Sequence, residues 1–255
     1  MNVQTIFVER VEALSPDLIL RNELLRGLLA VPEIARSLRP DLKVVSFDVN
    51  QVLYESGDKI DSVYFPLDSI VSSLAIMEDG TTMETSMVGP EGMVGVSSIL
   101  GSGNSRQWMW VTVGGHAVQL EARLLEKVFV HNETTLKLLL QSYRSLVTQV
   151  SQRCVCNTRH TILERLCCWL LMIHDRVGGS NLRLTQEMIA SRVGARRAGI
   201  TVAAGMLQEM NAIEYRRGQL HIRNREVLEE TVCECYTILG GDFPRLPAAH
   251  STPSL

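Results

Sequence analysis

Arginines are placed in this chain where they could do chemistry on a polyanion. Arg192, Arg196 and Arg197 lie within six residues, and Arg216 and Arg217 form a second group. A guanidinium presents a rigid fork of donors that suits phosphate oxygens and the edge of guanine. The charge is unevenly distributed. Residues 1–150 hold 12 Lys+Arg against 18 Asp+Glu, whereas residues 151–235 hold 12 Arg, no Lys and 9 Asp+Glu. With a whole-chain charge of −3, that change of sign says more than the total and turns the second half toward nucleic acid. The six cysteines, Cys154, Cys156, Cys167, Cys168, Cys233 and Cys235, offer a second possible chemistry. Zinc sites favour two to four intervening residues, and the Cys-x-Cys pairs do not fit that spacing. Cys167 and Cys168 are expected to pack beside Trp169 and Leu170 as small hydrophobes. His116, His131, His160, His174 and His221 show no ligand pattern, so neither a metal nor a cofactor is expected. No glycine-rich phosphate loop precedes a helix, and no His-Glu-x-x-His or Gly-x-Ser-x-Gly is present, so no enzyme is expected.

The arginines need elements to position them. From Leu184 to Tyr215 the chain reads as a helix, a tight turn and a second helix. Thr185-Gln186-Glu187 is a polar helix start, Ile189, Ala190 and Val193 form an apolar side, and Gly194 is suited to the turn. Ile200, Ala203, Ala204, Leu207 and Met210 recur at helical spacing on the second helix. Ile213-Glu214-Tyr215 and Leu220-His221-Ile222 then read as two short strands around Arg216-Arg217-Gly218-Gln219. A helix-turn-helix followed by such a wing puts Thr185, Gln186, Arg192, Arg196, Arg197, Gly199, Thr201, Arg216 and Arg217 in the candidate DNA-binding set. A helical hairpin with a solvated arginine face is the alternative that the helix pattern alone leaves open.

The first half is different. Short apolar runs from Val44 to Val130, separated by turns such as Ser56-Gly57-Asp58 and Glu78-Asp79-Gly80, predict an antiparallel β-sandwich or β-barrel. A helix pair, Ser15 to Ala30 and Glu33 to Leu38, precedes it. A long helix from Asn132 to about Cys156, roughly 35 Å at 1.5 Å per residue, joins the halves. Leu136, Leu139, Tyr143, Leu146 and Val150 follow a heptad-like step along it, with Leu140, Val147 and Cys154 broadening the stripe. Packing on its own barrel is one destination for that stripe, and a homodimer interface is the other. The predicted division is therefore an α+β chain: a sensory barrel at 1–130, a dimerisation helix at 131–158, a winged helix-turn-helix at 159–239 and a flexible tail at 240–255. Apolar content of 45% supports full cores. No apolar run approaches a bilayer span, and the start MNVQTIFVERVEA does not read as a secretory signal, so the expected location is the cytoplasm with no membrane partner.

The order barrel, long helix, winged helix-turn-helix resembles the bacterial cyclic-AMP receptor protein and fumarate-nitrate regulator family over about residues 20–235. LTQEMIASRVGARR, IEYRRGQLHI, VLYESGDKIDSVYFPLDSIVSSL and MVGPEGMVG carry the resemblance. It implies a cyclic-nucleotide-binding-like antiparallel β-barrel of jelly-roll type as the sensory domain, and a transcription regulator: a homodimer on double-stranded DNA with a palindromic operator, contact with RNA polymerase, and a small-molecule effector of unknown identity. Iron–sulfur members carry most of their ligands near the N-terminus, where this chain has no cysteine. Members that bind cyclic AMP clamp it with a Gly-Glu pair and, eleven residues after that Gly, an Arg-Ser pair. Gly95 and Arg106 match, but Val96 stands in the Glu position and Gln107 in the Ser position. The expected effector is therefore not cyclic AMP, and Gly95, Val96, Arg106 and Gln107 are the residues to follow. Toward bases the family places Arg, Glu and Arg, and the matching positions here are Arg197, Ala198 and Val202. A different operator is implied. A cyclic-nucleotide-responsive regulatory module, either a true cyclic-AMP-dependent activator or a regulator of a partner protein, remains the alternative function.

Overall fold

The computed structural model describes residues 8–10, 16–101 and 103–240. The tail expected to fray, from residue 241 onward, lies outside the described residues. The chain divides into two units, Met1–Val150 and Ser151–Leu255, with the division falling inside one long helix.

The first unit runs β1 (Val8–Arg10), α1 (Pro16–Ile19), α2 (Glu23–Leu29), α3 (Pro32–Leu38), β2 (Lys43–Phe47), β3 (Val52–Tyr54), β4 (Ser62–Pro66), β5 (Ile70–Ile76), β6 (Thr82–Val88), α4 (Ser97–Leu100), β7 (Trp108–Val113), β8 (Gly115–Glu121), α5 (Ala122–His131) and α6 (Glu133–Arg159). Two four-stranded antiparallel sheets form, in the orders β1-β2-β8-β4 and β3-β7-β5-β6. The expected antiparallel β domain is present, as two sheets among the described residues. Val45, Phe47, Tyr64, Val71 and Val111 make one core, and Leu25, Leu28, Phe65, Leu120, Leu125 and Leu139 make another.

Two local readings change. The predicted helix Ser15–Ala30 is interrupted at Asn22, which is buried and caps α2 by accepting from the Leu25 amide at 2.9 Å. Its Nδ2 donates to the Pro66 carbonyl at 2.9 Å and the Gly92 carbonyl at 2.8 Å, which welds the helix start to the barrel. A helix interior has no room for a side chain that satisfies three backbone groups, so the chain breaks there. Helix α5 was read as barrel, although Ala122, Leu125 and Phe129 sit at helical spacing and all three are buried. Asn132 then starts α6 as expected, with its Oδ1 accepting from the Thr135 amide at 3.2 Å.

The second unit continues with α7 (Ile162–Val177), β9 (Asn181–Arg183), α8 (Gln186–Val193), α9 (Arg197–Glu209), β10 (Ile213–Arg216), β11 (Gln219–Ile222), α10 (Arg225–Thr231) and α11 (Cys235–Gly240). Thr161 and Glu164 form a reciprocal capping box at the start of α7. Its buried residues Leu166, Trp169, Leu170 and Ile173 form the core with Ile189, Val193, Ile200, Ala203, Ala204 and Leu207. A polar knot closes the far side. Arg225 pairs with buried Asp175 at 2.7 Å and donates to the Tyr236 hydroxyl at 2.6 Å, and that hydroxyl donates to Asp175 at 2.7 Å. Burial, with the Arg225 charge beside it, holds the His174 imidazole below its ordinary pKa.

Candidate nucleic-acid interface

Helices α8 and α9 are joined as a helix-turn-helix requires. Thr185 caps α8, its side chain accepting from the Met188 amide at 3.1 Å. Gly194 ends α8 in the left-handed region at φ 67°, where a side chain would be strained. The outward face of α9 presents Arg197, Ala198, Thr201, Val202 and Met206, all exposed, with Arg196 exposed just ahead of it. Thr201 donates to Gln186 at 3.1 Å, which links the two helices on that face.

The wing is a hairpin with Ile213 opposite Ile222 and Arg216 opposite Gln219. Its two turn residues, Arg217 and Gly218, have φ of 51° and 76°, the signs a type I′ turn needs. Strand β9 adds a third strand that the sequence reading missed, with Leu182 opposite Leu220. Arg216 and Arg217 are exposed at the tip.

Three site expectations are corrected or redirected. Arg192 is only 2% exposed, because it lies on the buried side of α8 rather than beside Arg196 and Arg197. Arg153 donates to its carbonyl. Gly199 is turned toward α7 rather than to the exposed side of α9: a Cβ there would meet Ile162 Cδ1 at 2.6 Å, so the glycine lets α9 sit close to α7. Val202, read only as a missing arginine, is 65% exposed on the outward face. The i, i+4 run Ala198, Val202, Met206 was the available signal.

In the barrel, Val96 heads α4 and packs against the core rather than presenting a polar group. Gly95 takes φ of 94°, and a Cβ there would crowd Ile60. Gln107 is engaged internally: Ser73 donates to its Oε1, and Thr85 does so at 3.3 Å. Arg106 is exposed, and its carbonyl accepts from Ser56 at 3.2 Å.

On α6 the stripe divides. Leu139, expected at the interface, is 1% exposed and belongs to the barrel core, whereas Leu146 is half-buried. Thr135, Ser145 and Gln149 are buried too, and the Gln149 side chain accepts from the Met87 amide at 2.6 Å. The exposed apolar series is Leu136, Leu140, Tyr143, Val147 and Val150. It alternates steps of four and three, which is a heptad seam.

The cysteines are not scattered. Cys156, His160, Cys233 and Cys235 bring their donor atoms within 4.8 Å of one another. The Cys168 thiol donates to the Cys156 sulfur and pulls its pKa down to about 5 against the opposition of burial, with His160 and Cys233 adding to the lowering. Burial pushes Cys167 up to about 12, in keeping with the packing role expected of it. No spacing rule applied to neighbours in sequence relates these four residues, and it is the fold that brings their donor atoms together.

Among the described residues no helix is long and apolar enough to cross a membrane. Residues 44–132 match the cyclic nucleotide-binding domain family, and residues 164–231 match the Crp-like helix-turn-helix domain family. The chain is similar to the global nitrogen regulators of Nostoc sp., 23% identical over 70% of this chain and 84% of that one, and of Synechocystis sp., 24% identical over 73% and 87%. Its fold is that of FixK2 from Bradyrhizobium japonicum, with a TM-score of 0.64 at 17% identity over 75% of this chain and 98% of that one. It is also that of the c-di-GMP responsive global regulator CLP from Xanthomonas campestris, with a TM-score of 0.56 at 14% identity over 78% and 97%.

Proposed function

This chain belongs to the Crp/Fnr family of DNA-binding transcription regulators, not to a family of enzymes, and on that premise we propose that it reads a palindromic operator as a homodimer. Arg196, Arg197, Thr201 and Val202 face base edges, and Arg216 and Arg217 hold phosphates. The carrying observation is the outward face of α9, with arginines at its start and an arginine-tipped wing beyond it. Such a regulator works in the cytoplasm and meets RNA polymerase at its promoters. Gel-shift assays on genomic fragments test the reading, beginning with nitrogen-responsive promoters because the curated relatives are global nitrogen regulators. Uniform binding to all fragments would overturn it.

Arg197→Ala is expected to cost about 1–3 kcal/mol and to relax preference at one base pair. Val202 supplies an apolar contact, for which a thymine methyl is the matching group, so replacing one operator thymine by uracil is expected to weaken the wild type and leave Val202→Ala unchanged. Arg217 is best changed to Asn, which tolerates the left-handed backbone of the turn. Arg217→Asn is expected to weaken all sequences alike and to lower the salt slope by about 1. Equal loss on specific and random DNA for Arg197→Ala would remove its base-reading role.

The barrel answers to something other than cyclic AMP. Val96 cannot accept a ribose hydroxyl bond, and Gln107 is already satisfied by Ser73 and Thr85. Losing one charged partner costs about 1.5–3 kcal/mol, or roughly ten- to hundredfold in affinity. Calorimetry is expected to show no micromolar binding of cyclic AMP and no cyclic-AMP effect on operator affinity. Tight, DNA-coupled binding would reverse this conclusion. Cyclic di-GMP belongs in the same titration, since CLP of the same fold responds to it.

A further inference from the structure

Four side chains that DNA reading does not use converge between the end of α6 and the segment after α10. Cys156 lies in the last turn of α6 and His160 directly follows its last residue, with the His160 amide donating to the Cys156 carbonyl at 3.1 Å, so the two sit one helical turn apart on the same side of the helix end. Cys233 and Cys235 lie on either side of Glu234, where α10 has ended and α11 begins. The Cys156 and Cys233 sulfurs are 3.7 Å apart, and Cys235 Sγ is 3.4 Å from His160 Nδ1. All four donor atoms fall within 4.8 Å of one another. A tetrahedral zinc ion with bonds of about 2.3 Å to sulfur and about 2.0 Å to nitrogen has ligand–ligand edges of roughly 3.5–3.8 Å. The two measured edges match that size.

The surroundings point the same way. His160 Nε2 faces the Glu234 carboxylate at 3.3 Å, while the other ring nitrogen, Nδ1, faces the Cys235 sulfur. A carboxylate behind a histidine is the usual support of a metal-bound imidazole. Gln152 donates its side-chain N–H to Cys235 at 3.1 Å, a contact that suits a sulfur carrying negative charge. Packing alone explains buried thiols, but it does not require a half-buried histidine aimed into them and held from behind.

We infer that Cys156, His160, Cys233 and Cys235 form a Cys3His site for one thiophilic divalent cation, zinc in the cell. Zinc over an iron–sulfur cluster follows from size, because a cluster with inorganic sulfides spreads its thiolates wider than a single ion does. The ion joins the end of α6 to the start of α11, across the 77 residues between Cys156 and Cys233. Closing so long a span gives it a part in holding α11 in place.

The test uses the full chain, purified without a metal-binding tag under anaerobic conditions. Elemental analysis is expected to find one zinc per chain. Replacement by cobalt(II) is expected to give the intense visible bands of a tetrahedral site with thiolate ligands. Cys156→Ser with Cys233→Ser is expected to lose the metal. Because that variant can fail to fold, Glu234→Gln is the second probe: it keeps all four donors and is expected to weaken zinc about 10- to 100-fold in competition with a chromophoric chelator. Protein that holds no zinc and gives no tetrahedral cobalt spectrum would overturn the site. So would iron with acid-labile sulfide, a Cys156–Cys233 disulfide in the anaerobic protein, or a folded Cys156→Ser with Cys233→Ser variant that keeps its zinc, and zinc bound as tightly in Glu234→Gln as in the wild type would overturn the support assigned to Glu234.

Discussion

Replacing Leu140 and Val147 together by Glu is expected to leave the chain monomeric and to lower operator affinity about 10²–10⁴-fold. The two residues are 49% and 45% exposed, at the centre of the seam Leu136, Leu140, Tyr143, Val147, Val150. A carboxylate at each would put like charges face to face across a two-fold axis, where nothing compensates them. A monomer engages one half-site and forfeits the effective concentration that links the second. Isolated winged units should retain weak, salt-sensitive binding to any DNA. Leu139→Ala is the contrast. Leu139 lies in the barrel core, so it is expected to cost about 2–5 kcal/mol of stability while the surviving folded protein remains dimeric. Sedimentation reads both. A double variant that keeps the dimer mass would show that this seam is not the interface.

Asp175→Ala is expected to destabilise the second unit by about 3–5 kcal/mol. Asp175 is buried, pairs with Arg225 at 2.7 Å and accepts from the Tyr236 hydroxyl, so its removal takes from Arg225 its buried carboxylate, leaving it Glu229 at 2.9 Å, and takes away the acceptor to which the Tyr236 hydroxyl donates. The loss joins three elements, since Asp175 lies in α7, Arg225 in α10 and Tyr236 in α11. At roughly 4–8 °C per kcal/mol for a unit of this size, the midpoint should fall by at least about 12 °C. Asp175→Asn keeps an acceptor and should recover part of the loss. Urea unfolding followed by circular dichroism measures this directly, and a change under about 1 kcal/mol would mean the knot contributes little.

Elements that rest on local physics were readable in the residues. Thr185 as a cap, Gly194 as a left-handed stop, and the hairpin Ile213–Ile222 all depend on a few neighbouring positions. The candidate DNA face was mostly readable for the same reason: a helix start and a turn tip are set locally, and Arg196, Arg197, Thr201, Arg216 and Arg217 are exposed on them. Val202 was visible but misread, because it was judged against what the family pattern lacks rather than by the face it occupies. Helix α5 was hidden among strands because its short apolar spacing was read as a continuation of the barrel.

Arg192 and Gly199 needed the third dimension. Each is on a helix that the residues predicted, but which side of α8 meets the core, and how near α9 comes to Ile162, depend on packing between elements. The heptad stripe shows the same limit. Leu139 and Leu140 both satisfy its periodicity, and only the barrel on one side of α6 decides that Leu139 is buried and Leu140 is left exposed. The Cys–His cluster lies furthest from the reach of sequence. Cys156 and Cys233 are separated by an entire winged domain, so no spacing rule relates them. The sequence by itself determined the order of domains, the charge of the second half and the identity of the arginines, because periodicity and composition are properties of the chain alone. Tertiary structure decided which residues are spent on the core and which distant thiols meet, because burial and donor distances exist only once the elements have packed.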